Sequence, residues 1–247
     1  MARARSIEPR IGTSGWMYKH WSGVFYPKEL PVRDWLSFYS ERLDTVELNN
    51  SFYRLPDEEY FRRWKETTPK NFLFSVKASR YLTHIKRLKV EAENISRLFS
   101  RVELLGRKLG PVLFQLPPRM KPDPVRLERF LSLLSRDFRY AFEFRDPAWF
   151  CEPVYEILDR FRAAFCIYEI AGMQSPEIVT GNWVYIRLHG PGGRKYQGRY
   201  NAAALDRWAE KINVWGGSGK KVFMYFDNDD SGYAVQNAVE LAERLAA

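Results

Sequence analysis

Apolar residues in this chain fall into short runs, and between the runs they recur with the period of a helix. The first run is Arg10–Ser14, followed by a helical pattern over 32–43 with Trp35, Leu36, Tyr39 and Leu43 on one face. A second strand is predicted over 45–49, a helix from Pro56 to about Thr67, and a third strand over 72–77. A long helix is expected over 91–109 with Gly110 as its stop, then a fourth strand over 111–116 closed by Pro117 and Pro118. The pattern continues with a helix over 124–136, a fifth strand over 140–145 and a helix over 153–162. A sixth strand over 163–168 follows. Residues 169–180 carry Gly172 and Pro176 and read as loop or a short helix. The seventh strand spans 183–189, a helix capped by Asn201 spans 202–214, the eighth strand is Lys221–Phe226, and a last helix starts at Ser231 or Gly232.

Eight near-continuous apolar strands alternating with helices predict a parallel sheet covered by helices. Eight such units in 247 residues fit a closed (β/α)8 barrel, an α/β TIM-type fold, better than an open doubly wound sheet. A glycine-rich phosphate loop after the first strand, which a dinucleotide-binding sheet would need, is missing. The expected organisation is an N-terminal tail over 1–9 and one barrel domain over 10–247, with a long aromatic loop after the first strand acting as a lid or wall.

Polar residues interrupt these strands in a consistent place. Glu143 and Arg145 sit two apart and so share one face of the fifth strand. Glu47 and Asn49, Lys77, Gln115, Arg187 and His189, and Asp227 with Asn228 lie at or just past the C-terminal ends of theirs. Active sites of such barrels are built at that end. Glu47, Glu143, Lys77 and His189 are therefore the catalytic candidates. Asn49, Gln115, Arg145, Arg187, Trp16, Lys195, Tyr200, Asp227 and Asn228 are the substrate-binding candidates. Two carboxylates on different strands suit acid/base work or glycoside hydrolysis, while Lys77 and Arg187 beside them would hold both ionised. No cofactor is expected: carboxylates with His189 suggest a divalent metal, but one histidine among several cations makes a poor cage.

The segment from Gly190 to Tyr200 combines glycines with Arg194, Lys195 and Arg199 before a helix start, a setting in which barrels bind phosphate. It matches neither the P-loop nor the dinucleotide pattern. Two other motifs fail. Asp227 to Gly232 opens like a calcium loop but has Ala238 where the bidentate glutamate belongs, and Gly12 to Gly15 lacks nucleophile-elbow spacing around Ser14.

Composition narrows the partners. A formal net charge of +9 favours anions, either a small molecule or nucleic acid, although many basic residues also suit solvated helix faces. Trp16, Tyr18 and Trp21 are candidates for stacking on bases. No apolar run reaches membrane length and residues 1–6 lack a signal core, so no membrane association and a cytoplasmic location are expected. Cys151 and Cys166 are expected to be reduced.

Several ordered motifs, taken together, resemble the YecE-like family, domain of unknown function 72. They are Ile11 to Trp16 with Phe25-Tyr26-Pro27, Val46 to Tyr53, Phe74 to Lys77, Phe114 to Pro118, Phe142 to Arg145, Arg187 to Gly190 and Phe226 to Asp229. The resemblance covers nearly the whole chain from Arg10 and implies a TIM-type barrel. It names no settled reaction; the family's likeness to barrel endonucleases and sugar isomerases gives only a direction. Asp227-Asn228 stands where the family often has two asparagines, and Tyr168-Glu169 where an Asp-Ser pair is common. The leading expectation is a barrel enzyme that acts on an anionic, phosphorylated or nucleic-acid-related substrate by carboxylate acid/base chemistry. The alternatives are a non-catalytic nucleic-acid-binding protein and a small-ligand sensor.

Overall fold

The computed structural model describes residues 8–246; most of the proposed N-terminal tail lies outside that range. Eight parallel strands close into a barrel with helices between them. They are β1 (Arg10–Ser14), β2 (Thr45–Leu48), β3 (Leu73–Lys77), β4 (Leu109–Gln115), β5 (Tyr140–Glu143), β6 (Ala164–Ile170), β8 (Trp183–Leu188) and β9 (Lys221–Phe226). Neighbours pair in chain order, β9 returns to β1, and β5 pairs β6 to complete the ring. The helices are α1 (Trp35–Ser40), α2 (Asn50–Tyr53), α3 (Glu58–Thr67), α4 (Ala92–Val102), α5 (Pro124–Ser132), α6 (Glu152–Arg160), α7 (Ala202–Gly217) and α8 (Tyr233–Ala246). No helix among the described residues is long and apolar enough to cross a membrane.

Two expected elements differ. The long helix predicted over 91–109 ends at Val102 and continues as a 3-10 turn, Glu103–Lys108, broken at Gly106 with φ 58°. Gly110 is consequently part of β4 and not a helix stop. Apolar Leu104 and Leu105 extend the helical period past the point where the backbone has turned. After β6, the predicted loop contains a short antiparallel strand β7 (Met173–Gln174), paired Glu169 to Gln174 and Ile170 to Met173. Its turn places Ala171 and Gly172 at positive φ.

Strand alternation sorts the apolar residues into two layers. Val46, Phe74, Val112, Phe114, Phe142, Ile186 and Met224 pack outward under the helices. Leu113, Ala141, Ala164, Cys166, Tyr168, Tyr185, Phe223 and Tyr225 form a separate cluster inside the barrel. Moving up the same inward faces by two residues leads from Thr45 to Glu47, Ser75 to Lys77, Leu113 to Gln115, Ala141 to Glu143, Tyr185 to Arg187 and Tyr225 to Asp227. Apolar and hydroxyl side chains thus fill the barrel, and a polar tier closes its C-terminal end.

The aromatic loop after β1 is a wall. Trp21 is fully buried, stacks near Tyr39 and donates its indole N–H to Asp229 Oδ1 at 2.7 Å. Tyr26 stacks on Trp35 with centroids 4.6 Å apart and donates its hydroxyl to the Trp16 carbonyl. The rings proposed for base stacking are largely used in this packing. Both cysteines are free thiols.

Candidate functional site at the barrel mouth

Arg187, carried at the top of β8, is the hub of the polar tier. Its Nη2 lies 2.8 Å from Glu47 Oε1 and 3.0 Å from Asp227 Oδ2, and its Nη1 lies 2.8 Å from Glu143 Oε2. The guanidinium is 1% exposed. Glu47 also accepts from Ser14 Oγ at 2.7 Å and from Tyr185 Oη at 2.6 Å. Glu143 accepts from Arg145 Nε on its other oxygen. Burial alone would raise the pKa of Glu143, but Arg145 and Arg187 outweigh it and hold the carboxyl well below the usual range. Asp227 is lowered in the same manner by His189 and Arg187, against its burial.

Three carboxylates occupy the Arg187 guanidinium. It bridges Glu47 and Glu143, the two carboxylates that the acid/base reading pairs. Both glutamates are fully buried with each oxygen engaged in the network. The carboxylates converge on a cation the chain itself supplies, and no group of His, Cys, Asp or Glu among the described residues is arranged to hold a metal ion.

His189 is equally committed. Its Nε2 accepts from Arg145 Nη2 at 3.1 Å and Arg187 Nη1 at 3.3 Å, while Nδ1 lies 2.9 Å from Asp227 Oδ2 without the alignment of a hydrogen bond. Two guanidinium donors on one nitrogen require a lone pair there, so the ring is neutral with its proton on Nδ1. Burial and Arg187 keep its pKa below the ordinary histidine value.

Lys77, at the end of β3, behaves differently. Its ammonium makes no ion pair or hydrogen bond to a side chain among the described residues and sits 4.2 Å above the Phe52 ring. It is half-buried, and burial together with Arg187 pushes its pKa down to about 8. Phe52 is held under it by α2, whose Ser51 hydroxyl donates to the Lys77 carbonyl at 2.7 Å. Half-buried Asn49 and Gln115 stand at the ends of β2 and β4, the strands on either side of β3. Asn49 Oδ1 is buried without a partner.

Four other candidates lie away from this centre. Tyr200 is buried and its hydroxyl accepts from the Gly190 N–H at 3.1 Å. Asn228 donates to the Gly198 carbonyl and to Asn237 Oδ1, so it pins the loop after β8. Lys195 is exposed in that loop. Trp16 is buried edge-on against Trp64 and lines an outer cleft of about 300 Å³ with Met17, Tyr60 and Arg63. Asp227 and Asp229 do not form a calcium loop: one faces Arg187 and the other accepts from Trp21, with His20 Nε2 3.0 Å away.

Sequence reasoning overlooked the hydroxyls beneath the charges. Ser14 and Tyr185 bond Glu47 directly, Ser75 Oγ lies 2.6 Å from Tyr185 Oη, and Thr45 Oγ1 lies 2.8 Å from Tyr225 Oη. Stepping back two residues from each strand-end charge would have found most of them. It also overlooked His84, on a π-helical turn (Tyr81–Ile85) whose ring packs edge-on against Phe52. Burial, then Lys77 and Arg80, lower its pKa to about 4.

The profile described as "Protein of unknown function DUF72" matches residues 10–247. This chain belongs to the DUF72 family. It is 30% identical to the UPF0759 protein YunF of Bacillus subtilis over 95% of this chain and 94% of that protein. YecE of Escherichia coli K12 is 27% identical over 58% of this chain and half of its own length. A solved DUF72 structure from Thermotoga maritima superposes with a TM-score of 0.82 at 26% identity, covering 96% of this chain and 99% of that one. Another, from Enterococcus faecalis, gives 0.83 at 20% identity and speaks to the fold alone. DUF72 membership and the TIM-type barrel therefore agree; the chemistry rests on the mouth.

Proposed function

We propose that this DUF72 protein is an enzyme that binds a small anionic substrate at the C-terminal mouth of its barrel, with the Lys77 amine as the group that meets the substrate and exchanges a proton with it. One observation carries the reading. Arg187 and Arg145 are ion-paired, whereas Lys77 is left without a carboxylate partner among the described residues. Asn49, at the end of neighbouring β2 and with its buried unpartnered oxygen, supplies a polar contact. A lysine with a pKa near operating pH is suited to general acid/base work. Proton handling is therefore assigned to Lys77 and not to Glu47 or Glu143.

The test is calorimetric titration with phosphate, sulfate, malonate and citrate at low salt, at pH 6.5 and pH 9.5. At least one anion is expected to bind, to weaken at the higher pH as Lys77 loses its proton, and to lose about tenfold or more in Lys77→Met. Affinity indifferent to both pH and the substitution would remove Lys77 from the site. The nucleic-acid alternative keeps the net charge of +9 in its favour, but Trp16 and Trp21 are packed into the wall.

A further inference from the structure

We propose that the outer cleft beside Trp16 is a second ligand site, separate from the mouth, and that it takes a flat aromatic ring bearing a carboxylate. The cleft lies between the segment after β1, the turn Val32–Asp34 that leads into α1, and one face of α3. Tyr60, Arg63, Trp64 and Thr67 recur at helical spacing on that face. None of the mouth residues Lys77, Arg145 and Arg187 lines it.

The buried tryptophans divide into two groups. Trp21, Trp35, Trp149 and Trp183 donate their indole N–H within the chain. Trp16 and Trp64, each 6% exposed, do not. Neither of their indole N–H groups finds an acceptor among the described residues. Neither is sealed from solvent, since the buried polar atoms without a partner lie on Asn49, His189, Asn228 and Asp229. Both residues line this cleft. A buried tryptophan ordinarily finds a partner for its N–H, so the cleft presents two donors that nothing in the chain receives.

The other polar groups of the cleft are left as donors too. Arg63 has no ion pair among the described residues, and the Arg33 guanidinium meets only its neighbour Asp34, at 3.7 Å. Asn50 engages its Oδ1 with the Ser51 N–H at 2.9 Å, which leaves its amide N–H groups. Thr67 turns its hydroxyl back to the Arg63 carbonyl at 2.8 Å. No carboxylate lines the cleft. Such a lining selects a ligand with acceptors and negative charge, and a guanidinium fork meets a carboxylate with two parallel bonds. The walls are apolar and aromatic. Trp16 stands edge-on to Trp64 at 5.4 Å, and Tyr60 tilts against Trp64 at 6.1 Å. Met17, Val32 and Tyr60 are 60%, 53% and 53% exposed. Apolar side chains left this open around the indoles suit a ring-bearing ligand, because ring–ring contacts add to the burial of apolar area. A volume of about 300 Å³ stands at the small end of ligand sites and accepts one or two fused rings.

The experiment is nuclear magnetic resonance on the whole isotope-labelled protein, following the assigned indole N–H signals of its tryptophans. The probe is indole-3-acetate. Indole-3-acetamide lacks its charge, and cyclohexylacetate lacks its aromatic ring. Indole-3-acetate is expected to saturate with a Kd of about 1 mM or tighter, to shift the Trp16 and Trp64 signals, and to leave those of Trp149 and Trp183 in place. The amide and cyclohexylacetate should each bind at least about tenfold more weakly. Arg63→Met, a change at an exposed position, should cost indole-3-acetate a similar factor; if that variant does not fold, the wild-type signals decide. Binding that moves other indoles and leaves Trp16 and Trp64 unmoved overturns the cleft as the site, as does no binding by any probe. Equal binding by cyclohexylacetate overturns the aromatic ring. Equal binding by the amide, or unchanged affinity in Arg63→Met, overturns the carboxylate.

Discussion

Replacing Arg187 by methionine tests whether this side chain is the hub of the mouth. Methionine keeps an unbranched stem of similar reach and fills irregular space, so packing changes little while the guanidinium disappears. Three carboxylates lose contacts of 2.8, 2.8 and 3.0 Å. Two of them, Glu47 and Glu143, are fully buried. Removing one partner of a buried ion pair costs roughly 3–5 kcal/mol, because the charge left behind is uncompensated. Here several charges depend on one cation, although Arg145, Ser14 and Tyr185 continue to serve part of them. A loss of about 4 kcal/mol is expected, which for a domain of this size is roughly 8–16 °C in Tm. The sharper readout is non-additivity. Glu143→Gln destabilises the wild type, since it strips Arg187 and Arg145 of a shared carboxylate. In the Arg187→Met background Glu143 keeps Arg145 as its one remaining cation, so the same change is expected to cost clearly less. Urea melts of the four proteins at pH 7 give the comparison. If Glu143→Gln acts with the same sign and size in both backgrounds, Arg187 does not hold this network together.

Two further substitutions follow from the structure. Lys77 is charged below about pH 8 in the folded chain and below about 10.5 when unfolded, so its burial destabilises at neutral pH and the penalty fades as pH rises between those values. Lys77→Met is expected to be more stable than wild type by up to about 3 kcal/mol at pH 7, with the difference shrinking toward pH 10; a difference flat across pH in paired urea melts would contradict the lowered pKa. Asn237→Leu should free the loop after β8, because Asn237 Oδ1 accepts from the Tyr200 N–H at 3.0 Å and its Nδ2 donates to the Tyr200 carbonyl at 2.9 Å. Leaving both backbone groups unpaired costs about 2–4 kcal/mol and should speed amide hydrogen exchange around Gly198 and Tyr200; unchanged exchange there would mean that the loop is held elsewhere.

The barrel was legible because its strands are apolar on both faces and its helices on one. Runs such as residues 111–116 and Lys221–Phe226 admit few other readings. Errors came where a period continued past a backbone turn. Leu104 and Leu105 prolong the pattern of α4 although Gly106 has left helical φ/ψ. The β7 hairpin, two residues long, is too short to show a period at all. At the mouth, the alternation of Glu143 with Arg145 and of Tyr185 with Arg187 identifies which side chains share the inner face. It does not rank them. Which cation is saturated and which is free depends on distances across the barrel, between strands far apart in sequence: Arg187 to Glu47 joins β8 to β2. Only the closed barrel shows that Arg187 is enclosed and Lys77 is not.

The charge balance of the mouth explains why the free cation is the one with adjustable charge. Glu47, Glu143 and Asp227 face Arg187, Arg145 and Lys77, and His189 between them is neutral. With Lys77 protonated the mouth is balanced, and on the proposed reading an arriving anion is met by the Lys77 ammonium. Once Lys77 loses its proton, the mouth carries an excess negative charge and repels the same anion. A pKa of about 8 leaves the charged form predominant at neutrality, so on the proposed reading anion binding is strongest below that pH. The positive surface, with a net charge of +9, draws anions toward the protein. On the proposed reading the mouth, being balanced, holds an anion only while Lys77 keeps its proton.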